Sequence, residues 1–157
     1  MMKILLPQKI ADQLQAELKK AHTREIGGVL MGEHVDEGMF RIVEITCQRK
    51  GGSIFNFIRE VGVHVRALMR FFRRTDHYYK RFNYLGEWHS HPSFSVEPST
   101  KDFQSMFEIV SDNTVKANFL VLVIVKLSGE NYLEISATGF LPNMTVFGCD
   151  LLLESKD

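Results

Sequence analysis

The chain has 157 residues, 45% apolar and 24% charged, which predicts one soluble globular domain over 1–157 with a core that needs no staples. Lysine plus arginine balances aspartate plus glutamate at 19 each, so charge makes no global case for nucleic acid or an anionic membrane surface. Cys47 and Cys149 form no CxxC pair, which argues against a cysteine-based zinc site, and a disulfide between them is disfavoured in a chain that reads as cytoplasmic.

At the start, MMKILLPQKIADQL, the short apolar run is broken by Pro7 and followed by charge, so no signal peptide is legible. No window approaches the roughly 20 apolar residues of a membrane span. Residues 3–6 predict a short strand. Pro7 suits the first turn of a helix, and Ile10, Leu14, Leu18 and Ala21 recur at helical spacing, predicting an amphipathic helix over 7–21. IGGVLMG then reads as a short buried strand, HVDEG as a turn, and 40–48 (FRIVEITCQ) as a half-buried strand paired with it. The stretch 49–60 (RKGGSIFNFIRE) combines a flexible GGS with Ile54, Phe55 and Phe57, too apolar for an idle loop.

Helical spacing returns over 61–79, with Val65, Leu68, Met69 and Phe72 on one side and Arg66, Arg70, Arg73, Arg74 and His77 forming a basic stripe. The ordinary reading of such a stripe is a solvated face; the functional one is docking of an acidic partner. Residues 84–88 predict a strand that runs into His89. Ser99 opens a helix over 100–111 that carries Phe103, Met106 and Phe107. FLVLVIVKL (119–127) predicts a central strand, paired with 132–140 across SGEN. The closing LLLE reads as a last helical turn or a docking segment. Strands mixed with two or three helices predict an α+β fold, a three-layer α/β/α domain around a mixed sheet.

The stretch GEWHSHPSFSVEPSTKDF carries the chemistry. Residues two apart on an extended segment face the same way, so His89 and His91 can offer imidazoles to one ion. Ser99 is a good N-cap and Asp102 falls at the third helical position, where the positive end of the helix favours a carboxylate. Ser99 and Asp102 also make sense as a helix cap and nothing more. As ligands, two histidines and one aspartate leave a fourth position of tetrahedral zinc open for water, the mark of a catalytic site. His22, His34, His64 and His77 read as structural.

The spacing H-x-H, seven residues, S-x-x-D in HSHPSFSVEPSTKD resembles the signature of the JAMM (MPN+ or JAB) zinc metallopeptidases, whose motif adds a distant glutamate. Glu25 in EIGGVLMGE is similar to that family's E-x-G-G-x-L-x-G, and YLGEWHSHP is similar to the stand-alone bacterial members. The resemblance runs from about residue 5 to 140. It implies the cytidine-deaminase-like MPN/JAB fold, Zn2+ held by His89, His91 and Asp102, Glu25 as general base and acid, and Ser99 as an oxyanion donor. The chemistry agrees: zinc brings the pKa of bound water toward about 7, and a nearby carboxylate can take its proton and pass it to the leaving amine. Glu33, at the far end of the same strand, is the rival base.

The family implies cleavage after the C-terminus of a ubiquitin-like protein. The bacterial setting implied is an anti-phage operon in which E1/E2-like machinery conjugates a ubiquitin-like modifier or a cGAS-like nucleotidyltransferase through an extended C-terminal tail. Processing of a ubiquitin-like sulfur carrier, a non-catalytic MPN scaffold, and nucleic-acid binding through the arginine stripe are the alternatives. The eukaryotic insertion after the S-x-x-D helix is absent, since Asp102 is followed closely by the strand at Phe119.

Overall fold

The most apolar segment of the chain is a strand because it is covered on both faces. In Leu120–Ser128, Val121, Val123 and Val125 join one core cluster while Leu120, Leu122 and Ile124 join another. The structure, a computed structural model, describes residues 1–48, 61–129 and 131–156. Among these are β1 (Lys3–Pro7), α1 (Gln8–Ala21), β2 (Gly27–Asp36), β3 (Met39–Ile45), α2 (Val61–Arg74), β4 (Phe82–Ser90), α3 (Thr100–Val110), β5 (Leu120–Ser128), β6 (Tyr132–Phe140), β7 (Val146–Gly148) and β8 (Asp150–Glu154). The strands form one mixed sheet in the order β7-β6-β5-β4-β2-β3-β1-β8.

Alternating side chains divide the sheet between helices. Leu30, Trp88 and the three β5 valines pack with Ile10, Leu14 and Leu18 of α1. On the opposite face Val29 and Met31 pack with Ala67 and Phe71 of α2, and Leu122 and Ile124 with Met106 and Ile109 of α3. The result is the predicted α/β/α layering. Each fully buried Leu or Ile in it contributes on the order of 1.5–3 kcal/mol.

β4 lies at the centre, antiparallel to β2 and parallel to β5. A bulge falls where Leu30 pairs Gly86 and Met31 pairs Tyr84, leaving Leu85 as the extra residue. Gly86 is needed there, since a Cβ on it would lie 1.9 Å from the Val121 carbonyl oxygen. The bulge resets the alternation, so Leu85 and Trp88 both face α1.

Several boundaries differ from the sequence expectation. β2 continues through His34 and Val35 to Asp36, and the turn narrows to Glu37 and Gly38, with Gly38 at φ 65°. The strand outlasts its apolar part because His34 stacks on Phe40 of β3, with ring centroids 4.7 Å apart. Pro7 closes β1 and caps α1 instead of lying in its first turn. α2 ends at Arg74, not at 79: the His77 N–H donates to the Phe72 carbonyl and the Asp76 N–H to that of Arg73, with Asp76 left-handed at φ 56°. That is a Schellman ending, with aspartate in the place usual for glycine. It removes His77 from the helical stripe. LLLE is no helical turn; it lies in β8, parallel to β1 at the edge of the sheet. The apolar residues of 49–60 lie outside the described residues.

The Gly27-Gly28 pair lets β2 approach its neighbours. A Cβ on Gly28 would stand 1.9 Å from the Thr46 carbonyl oxygen, whereas one on Gly148 would meet nothing within 4 Å. Gly28→Ala is expected to lose at least about 2 kcal/mol in urea denaturation, and Gly148→Ala to change stability by no more than about 0.5 kcal/mol.

Candidate metal centre

His89 is the penultimate residue of β4, and His91 follows just beyond the strand. The Ser90 side chain turns to the other face, where its hydroxyl accepts the Ile26 N–H at 3.0 Å. The Ser90 N–H donates to the Ile26 carbonyl at 2.9 Å and the His91 N–H to that of Val125, also at 2.9 Å. The strand end is therefore clamped from both sides. Both imidazoles are buried, with Nε2 atoms 3.0 Å apart.

The carboxylate comes from α3. Ser99 caps the helix by accepting the Asp102 N–H at 3.2 Å, and Asp102 Oδ2 accepts the Ser99 N–H at 2.7 Å. This reciprocal capping box fixes the aspartate. The cap and the ligand set are thus compatible uses of one side chain. Asp102 Oδ1 lies 3.2 Å from His89 Nε2 and Oδ2 lies 3.4 Å from His91 Nε2. Burial pushes the Asp102 carboxyl up, but the His89 hydrogen bond and charge, with the Ser99 cap, outweigh it and hold the carboxyl at about 2.

Among the described residues His89, His91 and Asp102 form a group able to hold a metal ion, with ligating atoms within 4.8 Å of one another. The donor set fits such an ion. Ligands about 2.0–2.1 Å from a tetrahedral zinc stand roughly 3.3 Å apart, close to the three separations seen here. The tautomer fits as well. His91 Nδ1 is 2.6 Å from the Ser95 carbonyl oxygen, which can only accept, so Nδ1 carries hydrogen and Nε2 is the nitrogen that faces the cluster.

The other candidates are placed as follows. Glu25 immediately precedes Ile26, and the β2–β4 register (Gly27 opposite His89) carries it to the level of His91; its side chain is exposed. A Cβ on Gly27 would lie 2.4 Å from the Trp88 carbonyl, so glycine is what lets this end of β2 close on the histidine strand. Glu33 stands at the opposite end of β2, tied to Arg41 at 2.6 Å and Arg81 at 3.4 Å, which makes it part of an ion-pair cluster. Cys47 and Cys149 are not joined in a disulfide, and burial pushes Cys149 up to about 11. His64 is buried and bonded to Thr46 Oγ1 at 2.7 Å, a structural role.

Three features escaped the sequence reading. The Phe94 ring lies over His91 with centroids 4.2 Å apart and is 45% exposed, forming an apolar edge of the site. The Ser136 hydroxyl donates to the Val96 carbonyl at 2.5 Å, tethering the 92–98 loop to β6. Glu87 is buried on the metal side of β4 and accepts the Tyr84 hydroxyl at 2.5 Å. Burial pushes its carboxyl up to about 8, against the Tyr84 hydrogen bond that lowers it. Period-two alternation from His89 back to residue 87 is the signal that could have found it.

Comparison with known proteins bears on the family and the fold. Residues 7–136 match the family described as prokaryotic homologs of the JAB domain, a span that holds Glu25, His89, His91, Ser99 and Asp102. A relative from Enterobacter hormaechei, named CD-NTase/cGAS isopeptidase, is 32% identical over 124 residues, 78% of this chain. The chain spans 66% of that relative's length. A solved protein from Desulfitobacterium hafniense has TM-score 0.65 at 18% identity, covering 98% of this chain and 94% of that one. A JAB1/MPN domain protein from Archaeoglobus fulgidus has TM-score 0.50 at 15% identity, covering 97% and 99%. These two likenesses bear on the fold alone. The α+β sheet with helices on both faces is that of the JAB/MPN proteins.

The Glu87 environment has a consequence for stability. A carboxyl raised from 4.5 to about 8 favours folding most below pH 4.5, and the benefit is lost as pH rises through about 8. In chelator-treated protein, Glu87→Gln is therefore expected to flatten the fall in Tm between pH 5 and pH 8 seen by thermal denaturation, with the gap between variant and wild type widest at the alkaline end.

Proposed function

The chain belongs to the prokaryotic homologs of the JAB domain, and from that premise we propose that it is a zinc-dependent isopeptidase cleaving the bond after the C-terminus of a conjugated protein. The observation that carries this reading is the convergence of His89 Nε2, His91 Nε2 and the Asp102 carboxylate, buried at the end of β4 that pairs with the start of β2, two residues after Glu25. His89, His91 and Asp102 would hold Zn2+, which when bound supplies Lewis acidity that polarises the scissile carbonyl and brings the pKa of water toward about 7.

The protein's own groups do the rest. Glu25, exposed beside the strand end, takes a proton from the attacking water and returns it to the leaving amine, a transfer worth about 10²–10⁴-fold. The Ser99 oxygen accepts the Asp102 N–H with one lone pair, so its hydrogen is free to donate to the developing oxyanion. The Ser95 carbonyl keeps the His91 proton on Nδ1. Phe94 shields His91 and offers the substrate tail an apolar wall.

The name of the Enterobacter relative, CD-NTase/cGAS isopeptidase, supports a conjugated nucleotidyltransferase-type substrate, and we propose that its extended C-terminal tail carries the bond that is cut. The proposed setting is the cytoplasm, where the enzyme reverses conjugation made by E1/E2-like partners in an anti-phage system. Among the described residues no helix is long and apolar enough to cross a membrane.

Two measurements test this together: metal content of the purified protein, and cleavage of a CD-NTase carrying a C-terminal fusion, alongside a ubiquitin-like fusion. Wild type is expected to bind one zinc per chain and to cut one of the fusions. Glu25→Ala should keep the metal and lose at least about a hundredfold in rate. Asp102→Ala should lose both metal and cleavage. A wild-type protein that takes up no zinc, even when it is added back, would overturn the reading.

A further inference from the structure

Helix α2 carries a face that no described element covers. Its inner side is anchored: Ala67 and Phe71 are buried against Val29 and Met31, and His64 is bonded to Thr46. The outer side carries two parallel rows. Arg66, Arg70 and Arg73 lie at i, i+4 and i+7 and are exposed, and no ion pair involving them is found among the described residues. Beside them run Val65, 38% exposed, and Met69, 48% exposed, followed by half-buried Phe72. Arg74 is committed elsewhere, paired with Glu44 at 2.6 Å, and Arg81 is paired with Glu33.

A merely solvated helix face carries mixed signs, with acid–base pairs at i, i+4 that stabilise it. This 14-residue helix, VGVHVRALMRFFRR, has four arginines and no acid, in a chain whose net charge is zero. Its arginines repel one another along one line, and its neighbouring row exposes valine and methionine to water. Both costs are relieved together by one kind of surface: acidic groups flanking an apolar centre. Nucleic acid would neutralise the arginines but would leave Val65 and Met69 without apolar partners.

The helix also points at the site. At its N-terminal end, His64 reaches Thr46, which neighbours Gln48; the Gln48 N–H donates to Gly27, and Gly27 pairs with His89. At the other end Arg74 meets Glu44 on β3. The Arg66–Arg73 row, about 10 Å long at 1.5 Å per residue, therefore leads away from the metal centre along the same face of the sheet.

We propose that the Arg66/Arg70/Arg73 row, with Val65 and Met69, docks an acidic, apolar-centred patch on the folded body of the protein whose C-terminal tail enters the metal centre. The proposal rests on the isopeptidase reading and adds where substrate specificity resides. On the isopeptidase reading the bond cut lies after one protein's C-terminus, so the carbonyl-side protein is the partner that every cleavage shares. A recurrent docking surface therefore serves the carbonyl-side protein.

The test separates docking from chemistry. Zinc-loaded Glu25→Gln protein is titrated with the folded CD-NTase fusion, with a peptide of its tail and scissile bond alone, and with a short duplex DNA, at low and at moderate salt. The folded fusion is expected to bind at least about tenfold more tightly than the peptide, with an advantage that shrinks as salt rises. Combined Arg66→Glu, Arg70→Glu and Arg73→Glu should abolish the advantage and leave peptide affinity and zinc content unchanged. Met69→Glu, which leaves the arginines in place, should weaken the folded fusion alone. Unchanged binding of the fusion in both variants, equal loss for fusion and peptide, no binding by the parent protein, or tighter binding of the duplex than of the fusion would each overturn the docking surface. Cleavage by wild type with binding unaffected by the variants would leave the isopeptidase reading intact. Arginine-dependent binding without cleavage would do the reverse.

Discussion

At the level of His89 the backbone of β2 lies so close to β4 that a Cβ on Gly27 would stand 2.4 Å from the Trp88 carbonyl oxygen. That approach is the constraint on which the site depends. It brings Ile26 against Ser90 through two hydrogen bonds, one to the backbone and one to the hydroxyl. With β5 holding His91 through Val125, the histidine strand is gripped from both sides up to its last residue. Two imidazoles held this way need little reorganisation to share a cation. The loss of side-chain freedom has been met by folding, before any ion arrives.

The third donor arrives by a different physics. α3 begins where the 92–98 loop ends, and its first turn is locked by the Ser99–Asp102 capping box. Capping alone would leave the carboxylate at a helix end in water; here the same geometry turns it, buried, onto the two histidines. Structural and functional uses of the motif coincide because a capping carboxylate accepts on one oxygen and retains lone pairs for another partner. The loop between is no passive link. Ser95 orients His91, Phe94 covers it, and Val96 is tied to Ser136.

Around this centre the molecule spends its polar groups unevenly. The far end of the sheet holds the ion-pair cluster of Arg41 with Glu33 and Glu154, which stiffens β2, β3 and β8 against one another. The His89 end buries Glu87 beside Tyr84, where burial pushes its carboxyl up. On the outer face of α2, Arg66, Arg70 and Arg73 are exposed and have no ion pair among the described residues. The fold thus pairs charge where it ties strands together and leaves three arginines of one helix exposed.

The sequence by itself determined the element order from β1 to β6, the three-layer class and the His89, His91 and Asp102 that the fold brings together, because period-two and period-3.6 patterns and the H-x-H and S-x-x-D spacings are local properties of the chain. Its errors were at ends. β2 ran past its apolar part because pairing with β3 continued. α2 stopped early because Asp76 adopts a left-handed conformation. LLLE paired with β1 as a strand instead of forming a helical turn. Only the tertiary structure decided that Glu33 is consumed by Arg41, that Glu87 lies buried beside the histidines behind a bulge, and that Phe94 and Ser95 complete the His91 environment. Those outcomes depend on which strands become neighbours and on what burial does to a charge. Both are set by contacts between residues far apart in the chain, which no local pattern encodes.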